Sequence, residues 1–216
     1  PGWSWLGLKP LLETARLDAL YINFLSGWEL DLETTRLIRQ NFRGPIYCDL
    51  HMLAWAVQPD GLRTLRPIPN VRDWLSSFDF LQVNEDEMTM LAPDPMALAA
   101  TALHAGVRSL SVTMGRRGAV YFAAPDFERL GKRGDGTGLS ASLGPLRTAL
   151  VPAEQVEPGD PTGCGDVWGA TQFSRLLAGD NLHAAIRAAN RAAARNVSHR
   201  GATGLADHLR GKISLT

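Results

Sequence analysis

The run Asp160-Pro161-Thr162-Gly163-Cys164-Gly165-Asp166-Val167-Trp168-Gly169-Ala170 decides the reading of this chain. Two glycines flank one small residue, a carboxylate follows at once, and an apolar, small-residue run continues to Leu177 with helical spacing. The segment reads as a loop entering a helix N-terminus. The first-turn N–H groups of such a helix have no intrahelical partner, and the helix dipole adds partial positive charge there. Gly163 and Gly165 let the backbone approach an anion closely, so the turn suits a phosphate, or charge developing on one during transfer. Asp166 is then placed beside that anion hole to take a proton from an attacking hydroxyl.

Taken alone, Gly-x-Gly-Asp before a helix also fits an ordinary tight turn whose acidic residue complements the dipole. A dinucleotide-binding turn fits poorly. The glycines at 163, 165 and 169 are spaced one residue too long, and Glu154–Pro161 is polar and proline-containing where that fingerprint needs a buried strand. A Walker A loop is missing, because neither Gly131-Lys132 nor Gly211-Lys212 continues into Ser or Thr.

Outward from this turn, short apolar runs alternate with helical patterns. Strands are expected at Ala19–Leu25, Ile46–Leu50, Phe80–Val83, Ser109–Met114 and Ala119–Ala123, the last two as a hairpin. Helices are expected at Leu30–Phe42, Asn70–Phe78, Glu85–Leu91, Asp94–Ala105, Asp166–Leu177 and Leu182–His199. Such alternation argues for an α/β fold, three-layered, with a mostly parallel central sheet and helices on both faces. Residues 125–150 read as one long loop carrying Gly131, Gly134, Gly136, Gly138 and Gly144, either a surface insertion or a flap near a nucleotide.

The 216 residues suffice for one α/β domain over 1–216 with a sizeable core. The formal net charge is zero, which gives no electrostatic case for nucleic acid or an acidic membrane as partner. Cys48 and Cys164 are too few for a disulfide framework and lack metal spacing. No apolar run reaches the roughly 18 residues of a membrane span, and Pro1-Gly2-Trp3-Ser4-Trp5 lacks a signal-peptide layout. A cytoplasmic enzyme is the default expectation, and Pro1 in place of Met reads as a start inside a longer native chain.

Asp160-x-Thr162-Gly163-x-Gly165-Asp166 resembles the second signature of the PfkB, or ribokinase-like, carbohydrate kinases, with Cys164 in place of the usual Ala. The resemblance implies a ribokinase-like fold, a catalytic base at Asp166, and an anion hole from the N–H groups of Gly163, Cys164 and Gly165. Two further segments resemble family elements in the family's order. Asn84-Glu85-Asp86-Glu87 is similar to an Asn-x-x-Glu element that arranges magnesium and phosphates, which implies cofactor roles for Asn84 and Glu87 and a metal role for Glu87. The same spacing is that of a helix capping box. Thr113-Met114-Gly115-Arg116-Arg117-Gly118 is similar to a Thr-x-Gly-x-x-Gly turn, which implies nucleotide-phosphate contacts at Thr113 and Gly115.

The resemblance further implies ATP and Mg²⁺ as cofactors, a monovalent cation near Asp160, and a small sugar-like acceptor phosphorylated on a hydroxyl. A homodimer is compatible with it. Family members are usually longer, and the N-terminal lid and sugar-binding region is expected to be absent from this stretch. Cys48-Asp49-Leu50-His51-Met52 stands where the family often has Asp-x-Asn-x-Arg, with His51 replacing Asn and no following Arg. His51 is either an acceptor contact or a structural histidine at a strand end. The alternative to a kinase is a non-catalytic nucleotide-binding or regulatory remnant of the same fold.

Overall fold

The structure is a computed structural model and describes residues 2–92, 94–131, 145–201 and 203–210. Its sheet strands are β1 (Leu20–Asn23), β2 (Ile46–Asp49), β5 (Phe80–Asn84), β6 (Ser109–Thr113), β7 (Ala119–Ala123) and β8 (Arg147–Val151), hydrogen-bonded in the order β1-β2-β5-β6-β7-β8. A separate antiparallel pair, β3 (Trp55–Val57) and β4 (Arg63–Leu65), matches Trp55 with Leu65. The helices are α1 (Trp5–Thr14), α2 (Leu32–Asn41), α3 (Val71–Leu75), α4 (Glu85–Leu91), α5 (Pro95–His104), α6 (Cys164–Leu177), α7 (Leu182–Val197) and α8 (Leu205–Leu209). The architecture is α/β with a mostly parallel central sheet.

The described residues form two compact units. The first takes in residues 2–112, Tyr121–Phe127 and residues 145–148. Here β1 pairs with β2, and β2 with β5, all parallel, with Tyr47 opposite both Tyr21 and Phe80. All four residues of β2 and the first four of β5 are buried, the pattern of strands covered on both faces. Tyr21, Tyr47, Phe80 and Phe127 follow one another across the strands, with successive ring centroids 5.2, 6.4 and 5.4 Å apart. Asp79 ties the start of β5 to its neighbours: Oδ2 accepts from Ile46 N at 2.8 Å and from the Arg39 guanidinium at 2.9 Å. Asp31 caps α2 through the Thr34 N–H at 2.7 Å, and its carboxyl is held below its ordinary pKa by the Thr34 backbone and side-chain hydrogen bonds.

The second unit takes in Thr113–Val120, residues 128–131 and residues 149–210. Its centre is the α6/α7 pair. Helix α7 buries Leu182, Ala185, Ile186, Ala189, Asn190 and Ala194, a stripe at helical spacing. Gly118 joins the turn after β6 to the segment after β8. Its φ is +100°, and a Cβ there would lie 2.1 Å from Val151 O and 2.6 Å from Ala153 N, so no side chain fits.

Three expectations need correction. The long loop at 125–150 ends early, because Arg147–Val151 is strand β8; residues 132–144, with four of its five glycines, lie outside the described residues. Only Val151 in β8 is buried, so no apolar alternation marked it. The helix expected over Asn70–Phe78 shrinks to the five residues of α3, starting only after Asn70, which is left-handed at φ 54°. Four elements were not anticipated: α1, the β3/β4 pair and α8. Helix α1 buries no residue and carries Pro10 in its interior, so neither periodicity nor propensity revealed it.

Candidate functional site

In the second unit the glycine turn enters α6 as its sequence required. Gly163 is the N-cap in the left-handed conformation, φ 76°, with no side chain capping the helix. Asp160 steadies the approach by accepting from Thr162 N at 2.9 Å, and the Thr162 side-chain and backbone hydrogen bonds keep its carboxyl below the ordinary range. Asp166 lies exposed in the first turn of α6. One detail departs from the expected anion hole: the Cys164 N–H donates to Pro161 O at 3.0 Å, closing the turn on itself. The Cys164 thiol lies against α7, 3.6 Å from Ala193 O and 3.2 Å from Asn196 Nδ2, which also donates to Thr162 O at 2.9 Å.

Beside this turn is a cavity of about 330 Å³. Thr113, Gly115, Cys164 and Gly165 are brought together in its lining; Gly163 and Asp166 are not lining residues. Much of the wall is apolar, with Val156, Pro158, Ala194 and Val197, and its charged residues are Arg116, Glu154 and Glu157. The inner wall includes a buried amide. Asn190 Oδ1 accepts from Trp168 Nε1 at 2.7 Å, while Nδ2 donates to Val151 O at 2.9 Å and Pro152 O at 3.1 Å. Asn190 and Asn196 were missed from sequence. The available signal was an amide on the otherwise apolar stripe of α7, where a buried polar group needs partners.

In the first unit, Asn84 and Glu87 form a complete capping box at the start of α4. Asn84 Oδ1 accepts from Glu87 N at 2.9 Å, and Glu87 Oε2 accepts from Asn84 N at 2.9 Å. Glu87 is only 1% exposed. Its Oε1 also accepts from Asn84 Nδ2 at 2.8 Å, Trp55 Nε1 at 3.3 Å and His51 Nδ1 at 2.8 Å. His51 is thus attached to the Asn-x-x-Glu element, in the short 3₁₀ turn that follows β2. Asp49, at the end of β2, accepts from His51 N at 3.3 Å.

A divalent ion needs open oxygen ligands. Glu87 offers few, because donors already surround its carboxylate. Among the described residues no three His, Cys, Asp or Glu side chains gather as a metal-binding group. Three of its four donors fall on Oε1 and one on Oε2, so Oε2 is the more open oxygen. Among the described residues, no helix is long and apolar enough to cross a membrane.

Known proteins share sequence and fold with this chain. The family model described as pfkB family carbohydrate kinase matches residues 58–208. A ribokinase from Bacillus subtilis (strain 168) is 29% identical over 158 residues, covering 73% of this chain and 44% of that protein. The chain therefore spans less than half the length of that curated relative. A pyrophosphate-dependent kinase in the ribokinase family, solved with sulfate, superposes with a TM-score of 0.70 at 15% identity over 95% of this chain and 64% of the other. An E. coli protein described as a ribokinase II and solved with ATP and Mg²⁺ gives 0.63 at 21% identity, covering 96% and 61%.

Proposed function

The chain belongs to the pfkB family of carbohydrate kinases, and from that premise we propose that it takes part in ATP-dependent phosphorylation of a hydroxyl on a small sugar-like acceptor. The observation that carries the reading is the glycine turn at the head of α6, uncapped by any side chain, beside a cavity that Thr113, Gly115 and Gly165 also line. Asp166 is proposed as the base that takes the hydroxyl proton. The anion hole is proposed to rest on Gly163 and Gly165 at the positive end of α6. Cys164 lines the cavity, and its N–H closes the turn on Pro161 O. Thr113 and Gly115 are proposed to hold nucleotide phosphates; a cofactor role for Asn84 is carried by the family resemblance alone. Catalysis of this kind is mostly positioning and charge stabilisation.

ATP fits the cavity better than pyrophosphate. A compact polyanion calls for cationic groups, whereas this lining pairs one arginine with two glutamates and much apolar surface suited to a nucleobase. Mg²⁺ is proposed to arrive on the nucleotide's own phosphates, as it commonly does. The monovalent cation near Asp160 and a cytoplasmic location are carried by the family resemblance alone.

A non-catalytic nucleotide-binding role is the second reading. It is favoured by the Cys164 N–H, which is satisfied within its own turn. One experiment separates the two: ATP binding by calorimetry, and ATP turnover with a panel of sugars, for wild type and Asp166→Asn. The kinase reading expects acceptor-dependent turnover that falls about 10²–10⁴-fold in the variant, with ATP affinity held within a few-fold. ATP binding without turnover on any acceptor supports the non-catalytic role. Turnover in Asp166→Asn close to wild type removes Asp166 as the base.

A further inference from the structure

A second cavity, of about 460 Å³, lies wholly within the first unit, where the turn after β1 and the start of α2 meet the loop from β4 to α3. Its volume is that of a small-molecule site. Leu30, Leu53, Ile68 and Trp74 line it and are all buried, which makes its floor apolar. Asp31, Arg66 and Asn70 line it too and are exposed, which puts its polar groups toward the opening.

The two charges at this opening are opposite and unmatched. Asp31 accepts from the Thr34 N–H at 2.7 Å, and the Thr34 hydrogen bonds that hold its carboxyl below the ordinary range keep it ionised at neutral pH. A carboxylate has about four lone-pair sites, so this cap leaves room for a further donor. Its full negative charge outweighs the partial positive charge at the head of α2. The Arg66 guanidinium is always charged. Neither side chain enters an ion pair among the described residues, with the other or with any third group.

The segment that carries Arg66 is stiff. The Arg66 N–H donates to Ala54 O at 2.8 Å, and Pro67 and Pro69 fix φ on either side of Ile68. Asn70 follows in the left-handed conformation at φ 54°, alone among the described non-glycine residues, and its side chain caps no helix. An amide is thus held near the guanidinium by a backbone that has little freedom left to lose on binding.

The balance of these groups selects the ligand. A phosphate would meet the Asp31 charge as well as the Arg66 charge. A sugar would leave both without a counter-charge, and a hydrocarbon would cover them. A molecule with a carboxylate, an ammonium group and an apolar body matches all three surfaces. The carboxylate meets the guanidinium fork, the ammonium group meets Asp31, and the body covers the apolar floor.

We propose that this cavity binds a free α-amino acid with a large apolar side chain, its carboxylate held by Arg66 and its ammonium group by Asp31. The site goes beyond the kinase reading and its occupation needs no ATP, so either can fail without the other.

The test is calorimetric titration of the full-length protein with L-phenylalanine and L-leucine. Three further probes are 3-phenylpropionate, which lacks the ammonium group, phenethylamine, which lacks the carboxylate, and ribose. At least one of the two amino acids is expected to bind, with both charge-deleted analogues about tenfold weaker or more, as befits the loss of one charge-assisted hydrogen bond. Asp31→Asn keeps an oxygen to cap α2, and Arg66→Gln changes an exposed side chain, so both variants should fold, which melting temperatures check. Each should weaken amino-acid binding about tenfold. Asp31→Asn should leave 3-phenylpropionate unmoved, and Arg66→Gln should leave phenethylamine unmoved.

A wild-type protein that binds neither amino acid overturns the proposal. Amino-acid binding that both variants leave intact moves the ligand out of this cavity and overturns it as well. Equal losses for every probe in either variant overturn the assignment of the two charges. Ribose bound in place of the amino acids, and lost in the variants, makes the cavity a sugar site instead.

Discussion

Replacing Asn190 by alanine should cost the second unit much of its stability, and the size of the loss follows from the partners it strands. The amide makes three hydrogen bonds: one accepted from the Trp168 indole and two donated to Val151 O and Pro152 O. Trp168 and Val151 are buried, at 3% and 1% exposure, so Asn190→Ala leaves one orphaned indole N–H and one orphaned carbonyl out of water's reach. Each such group costs about 1–3 kcal/mol, which puts the total near 4 kcal/mol. That is a large share of a stability of roughly 5–15 kcal/mol. At about 2–4 °C per kcal/mol for a chain of this size, the melting point should fall by roughly 8–16 °C. Urea unfolding of wild type, Asn190→Ala and Asn190→Asp, followed by tryptophan fluorescence, reads this directly. Asn190→Asp keeps the acceptor for Trp168 but turns a carboxylate toward two carbonyls, so it should fare no better than alanine. An Asn190→Ala protein within about 0.5 kcal/mol of wild type, the range of ordinary surface substitutions, would refute the claim that this amide holds the cavity wall together.

Three further outcomes are expected. Gly118→Ala should destabilise by more than about 1 kcal/mol, because the new Cβ meets backbone at a φ that L residues avoid; a circular-dichroism melt unchanged from wild type would contradict this. Asp31→Ala should cost about 1 kcal/mol at neutral pH through the lost cap on α2. The folded-state pKa of Asp31 is depressed, so its contribution is complete above the ordinary carboxylate value and fades as pH falls through the lower folded one; the gap between variant and wild type in urea midpoints should therefore narrow below about pH 4. Thiol labelling should find Cys164 reactive and Cys48 silent, since Cys48 is 0% exposed and burial pushes its thiol pKa up. ATP should protect Cys164, and labelling at an unchanged rate under saturating ATP would place the nucleotide outside the cavity.

The parts of the fold that sequence revealed are those whose signals are local. Strands β2 and β5 are mostly apolar runs because both faces are covered, and α2 and α4 announce themselves through helical apolar spacing and the Asn84–Glu87 box. Strands β3, β4 and β8 bury little, so alternation had nothing to display. In the site, residue types and spacing located the glycine turn but did not reveal that the Cys164 N–H turns inward to Pro161. The partners of Glu87 were hidden for a different reason. His51 and Trp55 precede it by 36 and 32 residues, and no pattern within one helix or one turn encodes so distant a contact.

Burial of β2 and β5 on both faces has a consequence for how the chain chooses between neighbouring alignments. A half-exposed strand is fixed by its pattern, since sliding by one residue turns its apolar side to water. Here every position of β2 is buried, so a slip of one or two residues would keep hydrophobic groups inside and meet little resistance from the pattern. Polar pairs supply the discrimination instead. The Tyr47 hydroxyl donates to Gln82 Oε1 at 2.9 Å within the buried sheet, and just beyond the strand ends His51 meets Glu87 at 2.8 Å. Each residue of displacement moves one strand about 3.3 Å along the other, enough to break both bonds and strand their buried partners. The carboxylate that orders the Asn84 amide thereby also selects the alignment in which the sheet assembles.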